Sequence, residues 1–128
     1  MVSEQVDPDD TSLTVTTAEG GTWAIVAVEG EIDVSTAQTL DEALRAAMAS
    51  SGRAIVDLSG VRFMDSTGLS VLMRVQSDQP EPGGRLRLAA LSDRVARLLS
   101  VTKLDSVFAV YPSVTAAEAD PPANVRQS

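Results

Sequence analysis

The stretch Ala54-Ile55-Val56-Asp57-Leu58-Ser59-Gly60-Val61-Arg62-Phe63-Met64-Asp65-Ser66-Thr67-Gly68-Leu69 decides the reading of this chain. It opens as a short apolar strand carrying Ile55, Val56 and Leu58 and ends where Leu69, Leu72, Met73 and Val75 take up helical spacing. A run of strand residues handing over to a period near 3.6 is a strand feeding a helix. Asp65 and Ser66 stand at the junction, which puts a carboxylate and a hydroxyl at the positive end of a helix. The free N–H groups of a first helical turn are predicted to hold an anion there, a phosphate on Ser66 included. Taken alone, Ser66 reads first as a helix N-cap contributing about 1 kcal/mol.

Outward from this stretch the chain alternates strands and helices. Toward the N-terminus, Leu13 and Val15 alternate with threonines as an edge strand, and Glu19-Gly20-Gly21 is a hairpin turn. Trp23 to Val28 is a nearly continuous apolar strand, and Gly30 to Val34 is a loop. Ser35 and Gln38 form a capping-box pattern ahead of Ala37, Leu40, Leu44, Ala47 and Met48, with Ser51-Gly52 closing that helix. Toward the C-terminus come a loop over Gln79 to Gly84, a strand from Leu86 to Leu91 and a third helix capped by Ser92. A short strand over Val107 to Val110 and a last helix over Ser113 to Glu118 follow. The prediction is an α/β fold: one domain over residues 11–118, with a mixed, mostly parallel sheet of about five strands and about four helices. Residues 1–10 and 119–128 read as disordered tails, the first of them acidic.

Composition narrows the function. The chain has 128 residues, 44% of them hydrophobic and only 3% aromatic, so its core is aliphatic. Asp and Glu number 18 against 10 Lys and Arg, a formal net charge of −8. No basic cluster suits a phosphate backbone or an anionic membrane surface, so neither nucleic acid nor membrane is an expected partner. Cys and His are both absent. Thiolate metal sites, Cys nucleophiles and a Ser-His-Asp triad cannot be built from this chain, and no cofactor or metal is expected. The residues do not read as an enzyme, and no apolar run approaches the ~20 residues of a membrane helix. A cytoplasmic protein is the expectation.

A second motif, Gly30-Glu31-Ile32-Asp33-Val34-Ser35-Thr36-Ala37, follows a strand as the first does. Taken alone, Asp33 is an exposed turn residue. Loops at the carboxyl ends of parallel strands converge, however, which brings Asp33 and Ser66 to one face. The two motifs together, with Leu104-Asp105-Ser106-Val107-Phe108 near the end, resemble the STAS domain of the anti-sigma factor antagonists over roughly Leu13 to Ala117. Lys103, the single lysine, stands where that family often carries Gly, a departure expected to affect the end of the third helix.

The resemblance implies a partner switch. The unmodified protein binds an anti-sigma factor that is a serine kinase with a GHKL-type ATP fold, and the sigma factor is released. The kinase then phosphorylates the residue matching Ser66, the complex dissolves, and a PP2C-type phosphatase restores the active form. Asp33 and Asp65 are implied to shape the site, and Thr36 matches the first motif. Met64, Thr67, Gly68 and Leu69 complete the switch loop, with exposed apolar side chains around Met64 and Leu69 as expected contacts. The free protein is expected to be a monomer. The alternative is a STAS-like scaffold or accessory subunit that is not regulated by phosphorylation.

Overall fold

A computed structural model describes residues 2–7, 10–19, 21–78 and 84–120. The elements run β1 (Val2–Asp7), β2 (Asp10–Ala18), β3 (Ala24–Ile32), α1 (Ala37–Ser51), β4 (Ala54–Met64), α2 (Ser66–Ser77), β5 (Leu86–Ala89), α3 (Asp93–Val101), β6 (Val110–Tyr111) and α4 (Val114–Ala119). The six strands form one sheet in chain order, antiparallel from β1 to β3 and parallel from β3 to β6. The α/β reading with four helices therefore holds, and the sheet gains a strand at its N-terminal edge.

That strand corrects two expectations. Val2–Asp7, read as a frayed tail, pairs with β2 from Val2 opposite Ala18 to Asp7 opposite Asp10. In consequence β2 is not the sheet edge. At the other end the domain extends past residue 118, because the Asp120 carbonyl and carboxylate both accept hydrogen bonds from the sheet layer. The rest of the expected C-terminal tail, residues 121–128, lies outside the described residues, as do Gly20 and 79–83.

Three helices cover one face of the sheet and α4 covers part of the other. The main core joins Val15, Val26, Val28, Ile32, Leu40, Leu44, Val56, Leu58, Leu72, Leu88, Val95 and Leu99, with Phe108 its one aromatic. Such a core is held by aliphatic burial, at about 25 cal/mol per Å² of apolar surface. β3 alternates buried and part-exposed residues, whereas Leu86 to Ala89 of β5 are all buried, as a strand covered on both faces must be. On the far face, Trp23, Ile55, Ala89 and Ala117 form a small second cluster.

Arg87 completes that second cluster, and nothing in the sequence pattern marked it. It is 1% exposed, and its guanidinium lies 4.3 Å from the Trp23 ring centroid and 5.1 Å from that of Tyr111. It donates to the carbonyl of Ala117 at 2.6 Å and to that of Asp120. A cation at the C-terminal end of α4 satisfies its orphan carbonyls and complements the helix dipole. The Tyr111 hydroxyl donates to Asp120 Oδ2 at 2.6 Å, closing the same corner.

Element ends differ from the sequence reading where backbone geometry intervenes. β5 stops at Ala89, not Leu91, because Ala90 takes a left-handed φ of 55°. The last strand is Val110–Tyr111, since Leu104 to Val107 is consumed by a turn closed by Val107 N–H to the Leu104 carbonyl. α3 ends in a Schellman motif: Leu104 N–H donates to the Leu99 carbonyl at 2.9 Å and Lys103 N–H to that of Ser100 at 3.1 Å. Lys103 occupies the left-handed position of that motif, with φ 61°, which is where glycine fits without strain.

Candidate functional site: the loops after β3 and β4

The site is built where two parallel strands end side by side. β3 and β4 start with Ala24 opposite Ala54 and finish with Ile32 opposite Met64, so β4 spends two residues more than β3 over the same length. Two register shifts absorb the difference, one of them beside Gly30, whose φ of 116° few other residues adopt. The result sets Asp33 and Asp65 next to each other at the sheet end. Asp65 N–H donates to the Ile32 carbonyl at 3.2 Å and ties the two loops together.

Asp65, not Ser66, is the N-cap of α2. Its φ, ψ of −106°, −171° are extended, and its Oδ1 accepts from the N–H groups of Thr67 at 2.9 Å and Gly68 at 3.4 Å. The anion-binding end of this helix is thus already filled by a side chain of the chain itself. This corrects the expectation that backbone donors would hold a phosphate on Ser66, because two of them already serve Asp65. Ser66 is the first helical residue and is exposed, and its hydroxyl has no hydrogen-bond partner among the described residues. Its carbonyl accepts from Ser70 Oγ at 2.9 Å.

Gly68 explains why the helix can sit so close to β3. A Cβ built on it would lie 2.5 Å from Ile32 Cγ2 and 2.9 Å from Met64 Cγ. Only a residue without a side chain lets α2 start against both strand ends. Thr67 is part-exposed beside it.

The Asp33 loop is held from within. Asp33 Oδ1 accepts from Ser35 N–H at 3.0 Å and from Ser35 Oγ at 2.8 Å. Thr36, 2% exposed, accepts from Asp33 N–H at 2.9 Å and donates its hydroxyl to the Glu31 carbonyl at 2.8 Å. The Ser35 hydroxyl holds the Asp33 carboxyl below its usual carboxylate value; desolvation opposes it, and the Ser35 N–H and the Thr36 donors add to the lowering. The Ser35–Gln38 capping box does not form. α1 starts at Ala37 after Thr36, Ser35 is spent on Asp33, and Gln38 Nε2 donates to Glu42 Oε2 instead.

Met64 and Leu69 are not exposed contacts. They are 4% and 6% exposed and belong to the main core, so their part is to hold the loops in place. The apolar side chains that do face solvent here are Val34, 80% exposed, and Phe63, 39% exposed. Sequence reasoning missed both, although alternation along β4 could have found Phe63 as the outward neighbour of Met64. Arg62 and Glu31 form a loose exposed pair at 3.9 Å beside them. Among the described residues no group of His, Cys, Asp and Glu is placed to hold a metal, and no helix is long and apolar enough to cross a membrane.

A comparison with protein-family models matches the STAS domain over residues 14–117, which includes both loops. The chain belongs to the STAS-domain family of anti-sigma factor antagonists. This STAS domain is 32% identical over 104 residues to the anti-sigma-F factor antagonist RsfB of Mycobacterium tuberculosis, covering 80% of this chain and 84% of that protein. It is 37% identical over 84 residues to the anti-sigma-B factor antagonist of Listeria monocytogenes, covering 65% of this chain and 74% of the relative. Among solved structures it resembles an anti-sigma factor antagonist from Mycobacterium paratuberculosis. There the TM-score is 0.74 and the identity 29%, over 89% of this chain and 96% of that one.

Proposed function

We propose that this STAS domain is a cytoplasmic anti-sigma factor antagonist worked by a phosphate on Ser66. In its unmodified form it binds a serine-kinase anti-sigma factor of the GHKL type, and the sigma factor is released. Phosphorylation of Ser66 ends the complex, and a PP2C-type phosphatase reverses it. The observation that carries this reading is the division of labour at the start of α2. Asp65 does the capping, which leaves the Ser66 hydroxyl exposed and unengaged on a rigid helix end. A kinase can reach such a hydroxyl without undoing any contact of the fold.

The physics of the switch follows from the same geometry. A phosphate adds about −1.5 to −2 charges. With Asp65 already on the amides of Thr67 and Gly68, those charges face outward toward whatever is docked. A unit-charge pair ~6 Å apart at an interface costs roughly 1–3 kcal/mol. Each 1.4 kcal/mol is about tenfold in affinity, so one phosphate converts a tight complex into a weak one without refolding. Val34 and Phe63 supply the apolar contacts of the unmodified surface.

The test is capture of partners from the native cells on wild type, Ser66→Ala and Ser66→Asp, with identification by mass spectrometry. A GHKL-type kinase retained by Ser66→Ala and lost by Ser66→Asp is the expected result. Equal retention of that kinase by both variants would refute the switch.

A further inference from the structure

The outward stripe of α3 is unpartnered and chemically distinct from the rest of the molecule. Arg94, Arg97, Leu98 and Val101 follow one another at spacings of three, one and three along the helix, which places them on one face. With Met64 they line a shallow groove of ≈ 240 Å³. Met64 and the part-buried Leu98 give it an apolar floor, and Val101, 73% exposed, forms its apolar rim. Neither Arg94 nor Arg97 has an ion-pair partner among the described residues, although the chain carries 18 acidic residues against 10 basic ones. With the exposed Asp93 beside Arg94 counted, two cations without ion-pair partners stand against one carboxylate on this face, a net positive patch on a protein of net charge −8. The floor residue Met64 is two positions before Ser66, and two residues of chain span at most about 7 Å.

We infer that this groove docks an acidic segment of the kinase partner, with an apolar side chain on Met64 and Leu98 and carboxylates against Arg94 and Arg97. The inference rests on the proposed function and names the chemistry of the partner surface. Charge complementarity argues for this occupant: the two arginines repel a basic segment and leave a neutral one with nothing to pair them. It also deepens the switch. A phosphate on Ser66 brings negative charge to the border of the groove, within the Debye length of about 10 Å at 0.1 M salt. The modification then both repels the acidic segment and offsets the arginines that attract it.

The experiment measures association of the purified GHKL-type kinase recovered on the Ser66→Ala bait. Rates are compared for Ser66→Ala alone and for Ser66→Ala carrying Arg94→Glu and Arg97→Glu, by surface plasmon resonance from low to high salt. The expected result is association slowed about tenfold or more at low salt, with the gap closing as salt rises. Ser66→Ala with Arg94→Gln and Arg97→Gln, which introduces no new charge, should fall between the two and guards against a folding artefact. Association rates and salt dependence unchanged by both charge variants overturn the groove while leaving the partner switch standing. Failure of Ser66→Ala itself to bind the kinase overturns both.

Discussion

Placing one methyl group on Gly68 tests how tightly the two loops are interlocked. In Gly68→Ala the new Cβ falls 2.5 Å from Ile32 Cγ2, 2.9 Å from Met64 Cγ and 3.2 Å from Ile32 Cβ. Both neighbours are core side chains, 0% and 4% exposed, so neither can swing into solvent to make room. Overpacking of this kind costs about 1–3 kcal/mol. Alanine is the better helix former by at most about 1 kcal/mol, and less in a first turn, so the balance is a net destabilisation of about 1–2 kcal/mol. For a chain of 128 residues that lowers Tm by roughly 3–10 °C. Thermal unfolding followed by circular dichroism measures it, with Ser66→Ala as the control. Ser66 is exposed and makes no side-chain hydrogen bond, so that control should move stability by less than about 0.5 kcal/mol. A Gly68→Ala protein as stable as wild type would refute the close approach of α2 to β3.

Three further outcomes follow from the geometry. Ser35→Ala should raise the Asp33 pKa toward the ordinary value of about 3.9, because it removes the donor most responsible for lowering it. A depressed carboxyl stabilises the fold above the unfolded-state pKa and loses that contribution as pH falls through its folded value; the wild-type loop therefore loosens only in acid below about pH 4, followed by NMR titration of Asp33. Lys103→Gly should stabilise the domain by about 0.5–1 kcal/mol in chemical denaturation, since relief of the left-handed strain outweighs the added freedom of the unfolded chain. Arg87→Leu should cost about 2–4 kcal/mol by leaving the Ala117 and Asp120 carbonyls without their donor, and should change Trp23 fluorescence as α4 loosens.

The fold was legible because the aliphatic periodicities of β3, α1, β4 and α2 are clean and the cap at Ser92 is where sequence puts it; Ser113, read as the first residue of the last helix, is its N-cap. The juxtaposition of Asp33 with the Ser66 loop was also legible, since parallel strands must deliver their loops to one end. What escaped was set by partners distant in sequence. β1 has a polar, acidic sequence, and only its pairing with β2 makes it a strand. Arg87 reads as an outward residue of an alternating strand until α4, Trp23 and Tyr111 close over it. At α2 the capping role fell to Asp65 in place of Ser66, because a local pattern does not say which of two adjacent oxygens will face the free amides, and at α1 the N-cap Thr36 turns its hydroxyl to the Glu31 carbonyl instead. Met64 points inward in step with Val56 and Leu58, so alternation along β4 buries it, and Phe63 faces out beside it.

The hydrogen bond from Asp65 N–H to the Ile32 carbonyl and the missing side chain at Gly68 fasten Ser66 to a closely packed frame. Under the proposed switch, a phosphate on Ser66 would therefore act through charge and not through shape. The same rigidity separates two kinds of inheritance. The frame resists a side chain at Gly68, while Val34, Phe63, Arg94 and Arg97 stand outside it and can change without disturbing its packing. New pairings can thus arise by redrawing the border around a fixed hydroxyl, the frame beneath it unchanged.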